Sequence, residues 1–232
     1  MAEAAPRTRE MCMTCRQPSF GCYCAHVRKF DPGLRFVILI HPIEVKRRIA
    51  TGRMSHLCLE RSILVAGQDY TDSAQVNEVL ADPRLQPFIL YPGNEARNLS
   101  KMSPAERAEM IDEKREPVIF VIDGTWATAR KMMRSENLRK LPRICFSPEK
   151  PSAFRVRKQP APGCVSTIEA IHRTIELFDG MSGVDASSRH HDGLLDVFEV
   201  MVQRQLKFVT TLKNTRQTNY RQPKIKKILA DL

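Results

Sequence analysis

The chain has 232 residues, enough for one large domain that buries a substantial core. Its 37 lysines and arginines outnumber its 26 acidic residues, which gives a formal net charge of +11 and favours a polyanionic partner. No apolar run is long enough to span a bilayer, and residues 1–6 lack the apolar core of a secretory signal, so we expect a soluble cytoplasmic protein.

The first feature along the chain is a cluster of four cysteines, spaced as C-x-x-C followed by C-x-C: Cys12, Cys15, Cys22 and Cys24. In a reducing compartment this pattern predicts a metal, and four thiolates can surround zinc as a tetrahedron. A disulfide pair or an iron-sulfur cluster is an alternative, because the C-x-C spacing is tighter than in a usual zinc knuckle. His26 is a reserve ligand. A segment this short cannot build a core, so the metal would be structural.

Apolar runs then alternate with helical patterns. The runs predict strands at residues 34–41, 62–65, 87–91, 118–122 and 143–146. Helices are predicted at about 48–61, 74–80, 104–113, from Ala127 onward, 166–178 and 194–209. Strands separated by helices of this length indicate an α/β fold with a mostly parallel sheet between layers of helices.

The strand at 118–122 ends on Asp123, which is followed by Gly124, Thr125 and the only tryptophan, Trp126. Thr125 can cap the next helix. In open α/β sheets, ligands bind beyond the carboxyl ends of the strands. Asp123 therefore has two possible roles. It either accepts hydrogen bonds from free backbone N–H groups at a helix start or acts as a catalytic acid or base.

Three further polar clusters follow strands or open helices. The first runs from His41 and Glu44 to Thr51, Gly52 and Arg53, and the second is Tyr91 with Pro92 and Gly93. In the third, the spacing of Ser166 and Glu169 predicts a capping box, and Thr167 lies between them. A helix start of this kind can also offer free amides to a ligand.

Taken together and in this order, the motifs D-x-T-W, H-P-x-E, T-G, Y-P-G and S-T-x-E-A resemble the DTW-domain family of tRNA-uridine aminocarboxypropyltransferases. The N-terminal cysteines resemble the knuckle of the same family. The resemblance extends from Cys12 to about residue 178. It implies a SPOUT-like, mostly parallel sheet flanked by helices, with a C-terminal trefoil knot and an N-terminal zinc knuckle. General topology rules would not predict a knot.

The resemblance implies a knuckle in residues 1–30, a DTW/SPOUT-like catalytic domain in 31–212 and a basic tail in 213–232. The implied reaction transfers the 3-amino-3-carboxypropyl group of S-adenosylmethionine to N3 of a tRNA uridine and releases methylthioadenosine. We expect the modified uridine to be in the variable loop. A SPOUT-type RNA methyltransferase and a noncatalytic zinc-dependent RNA-binding module are the alternatives. The oligomeric state is open.

The same resemblance assigns roles to individual residues. Asp123 is expected to be the general base that deprotonates the uridine, with orientation of a loop or of the donor as its alternative role. The residues expected to bind S-adenosylmethionine are Leu90, Tyr91, Pro92, Gly93, Thr125, Trp126, Ser166, Thr167 and Glu169. Those expected to contact the tRNA are His41, Glu44, Thr51, Gly52, Arg53, Arg130, Arg155 and Lys158.

Overall fold

A computed structural model of the chain describes residues 10–47, 49–156 and 163–214. Lys158, predicted to contact the tRNA, and residues 215–232 of the predicted basic tail lie outside these ranges. Within the described ranges, no helix has the length and apolar character needed to cross a membrane.

The centre of the fold is a six-stranded sheet in which all the pairs are parallel. Its strands are β1 (Arg35–Ile40), β2 (Ser62–Ala66), β3 (Leu85–Leu90), β4 (Arg97–Asn98), β5 (Glu116–Asp123) and β6 (Arg143–Cys145). Their order in the sheet is β2-β1-β5-β3-β6-β4. The predicted parallel α/β sheet is therefore confirmed, and β4 is an additional strand of two residues at the edge.

Eight helices connect or follow these strands in the described part of the chain. They are α1 (Pro42–Val45), α2 (Thr51–Cys58), α3 (Ala74–Ala81), α4 (Pro104–Glu109), α5 (Trp126–Met132), α6 (Glu136–Arg139), α7 (Thr167–Leu177) and α8 (Asp192–Asn214). Ser103 caps α4 with Pro104 at the first position, and Thr125 caps α5, both as predicted.

The helices cover both faces of the sheet. Alternate residues of β1 contribute to opposite layers, because successive strand side chains point to opposite faces. Phe36 and Ile38 pack in the core formed with α2, α7 and α8, whereas Val37 and Leu39 pack in the core formed with α3 and α5. The central strands are buried on both faces, which explains their continuous apolar sequences.

The chain leaves neighbouring strands β1 and β5 in opposite directions across the sheet, toward β2 and β6 respectively. Such a change of direction opens a crevice at the carboxyl edge, where α/β proteins bind ligands. Asp123 is paired with Ile40 at this edge, and Leu90 is paired with Val121 two residues earlier on β5. The fold therefore brings the ends of three central strands together. The C-terminal knot and the SPOUT assignment stay predictions.

Candidate active site and metal centre

A cleft lies at the carboxyl ends of β3, β5 and β6 and is closed on one side by the start of α7. It contains about 850 Å³ of empty space, part of which is open solvent. Most of its walls are apolar. The lining residues are Leu90, Tyr91, Pro92, Val121, Ile122, Gly124, Trp126, Ala129, Cys145, Phe146, Pro148, Gly163, Val165, Thr167 and Ala170.

Two aromatic rings form one wall of the cleft. Trp126 is the first residue of α5 and keeps 40% of its surface exposed, so it is not a core residue. Its ring centroid lies 6.3 Å from that of Tyr91, with the ring planes tilted by 52°. Burial raises the pKa of the Tyr91 phenol, so this hydroxyl stays protonated near neutral pH. The pair offers a ligand two aromatic rings that are inclined to each other.

Asp123 lies directly behind the cleft wall. Its residue is only 3% exposed and does not line the cleft, although its neighbours Ile122 and Gly124 do. The carboxylate accepts a hydrogen bond from the backbone N–H of Gly52 at 3.2 Å. It accepts another from the hydroxyl of Thr167 at 2.8 Å. Because Thr167 lines the cleft, the carboxylate is separated from the cleft by a single hydroxyl group.

Gly52 allows α2 to approach Asp123 this closely. A Cβ atom added at residue 52 would lie 2.6 Å from Oδ2 of Asp123 and 2.8 Å from its Cγ. Only a residue without a side chain fits there. The two motifs T-G and D-x-T-W, which are 71 residues apart, are therefore in direct contact.

The other residues predicted to contact tRNA from this region are buried, and the side chains of three of them are bonded within the protein. Nδ1 of His41 accepts the N–H of Ile43 at 3.2 Å and caps α1, while burial with nearby Lys131 and Arg47 lowers the pKa of His41. Glu44 forms an ion pair with Arg47 at 2.7 Å. The guanidinium of Arg53 donates to the Val45 carbonyl at 2.8 Å, and Thr51 is also buried. Their contact with RNA stays a prediction.

Glu169 is fully engaged with protein donors. The predicted capping box at Ser166 is present, and the Glu169 carboxylate accepts from the Ser166 N–H at 2.7 Å and from its hydroxyl at 2.6 Å. The same carboxylate accepts from the Ser152 hydroxyl at 2.6 Å and the Ala153 N–H at 2.7 Å. Glu169 thus connects the loop that contains Ser152 and Ala153 to the start of α7 through hydrogen bonds.

The structure divides the predicted donor-binding residues into two sets. Leu90, Tyr91, Pro92, Trp126 and Thr167 come together in the cleft. Gly93, Thr125, Ser166 and Glu169 are absent from its lining, and the last three hold the starts of α5 and α7. Of the three arginines predicted to contact tRNA, Arg130 and Arg155 are exposed, whereas Arg53 is buried. Arg155 forms an ion pair with Glu199 at 2.9 Å, so only part of its charge is free for RNA.

Sequence reasoning missed part of the cleft lining. Cys145 is the last residue of β6 and Phe146 follows it, just as Leu90 is the last residue of β3 and Tyr91 follows it. The strand-end rule that selected Asp123 could therefore have found them. Ala170 is the last residue of the motif S-T-x-E-A, whereas Val165 had no signal, because its place depends on how α7 packs against β5.

The four N-terminal cysteines form a compact cluster. The Sγ atoms of Cys12 and Cys24 are 3.6 Å apart, as are those of Cys15 and Cys22, and all four lie within 4.8 Å of one another. They are free thiols rather than disulfides. Hydrogen bonds from backbone amides at Cys15 and Thr14 lower the pKa of Cys12 to about 6, whereas burial raises the pKa of Cys15 and Cys24. This donor set fits a tetrahedral zinc ion.

His26 is not one of the clustered groups. It is exposed, and its Nε2 lies 3.3 Å from the Arg204 guanidinium. Arg204 also donates to the Cys22 carbonyl, and Phe20 stacks on Phe208 with centroids 5.3 Å apart. The cysteine segment, defined here as residues 10–26, thus packs on α8.

A parallel sheet with a ligand-sized cleft at its carboxyl edge is typical of an α/β ligand-binding protein, here with an added cluster of four cysteines that could hold a metal ion. The DTW domain family model matches residues 9–206. The chain therefore belongs to the DTW-domain family.

Curated relatives are similar over much of this region. A Drosophila melanogaster protein named tRNA-uridine aminocarboxypropyltransferase 2 is 28% identical, covering 75% of this chain and 68% of the relative. A Mus musculus protein of the same name is 29% identical, covering 69% of this chain but only 54% of the relative. Arabidopsis thaliana tRNA-uridine aminocarboxypropyltransferase A is 24% identical, covering 90% and 86%. No solved structure gives a significant match.

Proposed function

We propose that the protein transfers the 3-amino-3-carboxypropyl group of S-adenosylmethionine to N3 of a tRNA uridine. The observation that carries the proposal is the Asp123 carboxylate, which is buried directly behind a ligand-sized cleft and linked to it through Thr167. The names of the relatives supply the substrate class. The uridine is proposed to lie in the variable loop.

The cleft suits the nucleoside part of the donor. The tilted rings of Tyr91 and Trp126 can stack on a purine, and the walls at Leu90 and Phe146 can cover its apolar surface. When bound, S-adenosylmethionine supplies a sulfonium that activates three adjacent carbons, so its orientation decides which group is transferred. Methyl transfer is the alternative outcome of the same cleft.

Asp123 acts as the base in this proposal. The N3–H of uridine is only weakly acidic, so the proton has to leave before or as N3 attacks. Thr167 can accept this proton while its own hydroxyl proton passes to Oδ1 of Asp123, along the hydrogen bond of 2.8 Å. N3 then forms a bond to the methionine Cγ as the carbon-sulfur bond breaks, and methylthioadenosine leaves. Gly52 N–H stays bonded to the other carboxylate oxygen and holds its position.

The test uses tRNA and two forms of the donor, labelled either in the methyl group or in the carboxyl end of methionine. The proposal expects label on tRNA only from the carboxyl-labelled donor. Label from the methyl group would instead identify a methyltransferase. If neither label is transferred, the protein is a noncatalytic RNA-binding module.

The role of Asp123 is tested with Asp123→Asn, which keeps the shape of the side chain. We expect transfer to fall by about 10²- to 10⁴-fold, the usual contribution of a general base. Thr167→Ser should retain transfer, because it keeps the hydroxyl, whereas Thr167→Val should lose it. Equal activity of the Val and Ser variants would exclude the proton path through Thr167.

A further inference from the structure

A second cluster of metal-binding side chains lies where α7 meets the start of α8, apart from the cysteines. It consists of His172 on α7, His191 just before α8 and Asp192 at the first position of α8. One ligand atom from each lies within 4.8 Å of the others. Nε2 of His172 is 2.9 Å from Oδ1 of Asp192, and the two imidazole centroids are 4.6 Å apart.

His191 is the residue that distinguishes this cluster from an ordinary ion-pair network. Its residue is 2% exposed, and among the described residues its Nε2 has no hydrogen-bond partner. A buried ring nitrogen without a partner is costly, so it calls for a bound group. This nitrogen lies 3.9 Å from Oδ1 of Asp192 and 3.9 Å from Oε1 of Glu176. These separations leave room for an ion between the nitrogen and the carboxylates.

The carboxylates beside this cluster are already paired with two arginines. Glu176 and Asp192 are both bonded to Arg189, and Glu176 is also bonded to Arg173. Arg189 has a half-exposed side chain and also contacts the second oxygen of Asp192, at 2.9 Å. It can therefore keep that contact while Oδ1 turns to a metal. Such outer hydrogen bonds to ligating carboxylates are usual in metal sites.

We propose that His172, His191 and Asp192 bind a divalent transition-metal ion, with Zn²⁺ as the best fit. Two imidazoles and one carboxylate are a donor set that zinc prefers, and Glu176 or water can occupy the fourth position. The ion would join α7 to α8, because each helix or its approach supplies ligands. The partly exposed Asp192 gives the ion a path from solvent.

The test measures metal binding by the full chain with its cysteine cluster already loaded with zinc. Isothermal titration with Co²⁺ is expected to show one further equivalent, with an absorption spectrum lacking the thiolate charge-transfer band. His191→Gln should weaken this binding by at least about 100-fold, since even the loss of an outer-shell partner costs 10- to 100-fold. His190→Gln is the matched control, because His190 is the exposed neighbour and belongs to no cluster.

Asp192→Asn is a second variant, which removes a ligand at the partly exposed side of the cluster and should weaken Co²⁺ binding similarly. Circular dichroism checks that each variant is folded. The proposal is overturned if the zinc-loaded wild type takes up no further Co²⁺. It is also overturned if the His191 and His190 variants bind Co²⁺ as tightly as the wild type.

Discussion

At the scale of single residues, two hydrogen bonds set the orientation of the Asp123 carboxylate. One oxygen faces the start of α2 through Gly52, and the other faces the start of α7 through Thr167. Two helices that are far apart in sequence thus fix the orientation of one carboxylate. A reacting group held in this way keeps its geometry at no further cost during catalysis.

The contact between Gly52 and Asp123 predicts the effect of Gly52→Ala. The new Cβ would lie 2.6 Å from Oδ2, so α2 or the carboxylate has to move. We expect a loss of about 1–3 kcal/mol in the free energy of unfolding and a fall of about 100-fold in transfer. Denaturant unfolding and labelled-donor assays measure the two effects.

Gly193→Ala is the control for this substitution, because a Cβ added at residue 193, near the start of α8, would meet no atom within 4 Å. It should leave stability unchanged or raise it by up to about 1 kcal/mol. If Gly52→Ala also leaves the free energy of unfolding unchanged, the close packing of α2 against Asp123 does not contribute to stability.

The cap made by His41 predicts a dependence of stability on pH. Nδ1 accepts a hydrogen bond from Ile43, so the cap requires the neutral ring. The pKa of His41 is below its ordinary value near 6.5 in the folded protein, and the unfolded chain therefore binds the proton more readily. This contribution is complete above pH 6.5 and is lost as the pH falls below it.

His41→Asn provides a cap that does not titrate. We expect the variant to match the wild type within about 1 kcal/mol at pH 8, and to lose less stability between pH 6.5 and pH 5. Some slope should remain, because burial also lowers the pKa of His56 and His191. An unchanged slope, measured by urea unfolding at each pH, would contradict this assignment.

Sequence reasoning at this scale found residue types but not their environment. The apolar run before Asp123 predicted its position at a strand end. The same reasoning could not show that Arg53 points to the Val45 carbonyl, because this depends on the path between α1 and α2. Nor did it find His172 and His191, which are 19 positions apart and meet only when α7 packs beside the start of α8.

At the scale of elements, strands and helices were predicted most accurately where the pattern of apolar residues was long. The five predicted strands are confirmed, because each is an apolar run flanked by turn residues. β4 and α6 were missed, since two and four residues are too few to show a period. The helix expected at about 48–61 is the shorter α2. The one-turn helix α1 was also missed; it has Pro42 at its first position and only four residues.

The contact between the cysteine segment and α8 predicts the effect of Phe20→Ala. Phe20 is half exposed but stacks on Phe208 at 5.3 Å, and such pairs contribute about 0.5–1.5 kcal/mol. The variant should increase hydrogen exchange in residues 10–26, with little change in the sheet. Met13→Ala is the control, because Met13 is 91% exposed. Equal exchange in the two variants would show that the stacking does not hold the segment.

At the scale of the whole molecule, the excess of positive charge is most relevant near the cleft. Arg130 and Lys131 on α5 and the following Arg134 are exposed, and Trp126 of the same helix lines the cleft. If the proposed function is correct, these exposed cations are candidates to contact phosphates of a tRNA whose uridine enters the cleft. Arg130 was already predicted from the sequence as a tRNA contact, but the sequence could not show that its side chain and that of Lys131 are exposed on the helix that also carries Trp126.

This placement predicts a difference between two charge reversals. Lys131→Glu should weaken tRNA binding and reduce the slope of log affinity against log salt by about 1, because each phosphate contact contributes about 0.7–0.9. Lys114→Glu makes the same change in charge at the opposite edge of the sheet, just before β5, and should have a smaller effect. Filter binding over a range of salt concentrations measures both. Equal effects would mean that only net charge attracts the tRNA.

The position of α8 has a consequence for how the protein is made. The cysteine segment leaves the ribosome well before its partners Arg204 and Phe208, which are translated more than 180 residues later. The four cysteines, which could hold a metal ion, can meet early in synthesis, but their segment has no surface on which to dock until α8 has been made. Contacts between parts this distant in sequence carry a large loop-closure cost, so we expect the thiols to be open to oxidation until α8 docks.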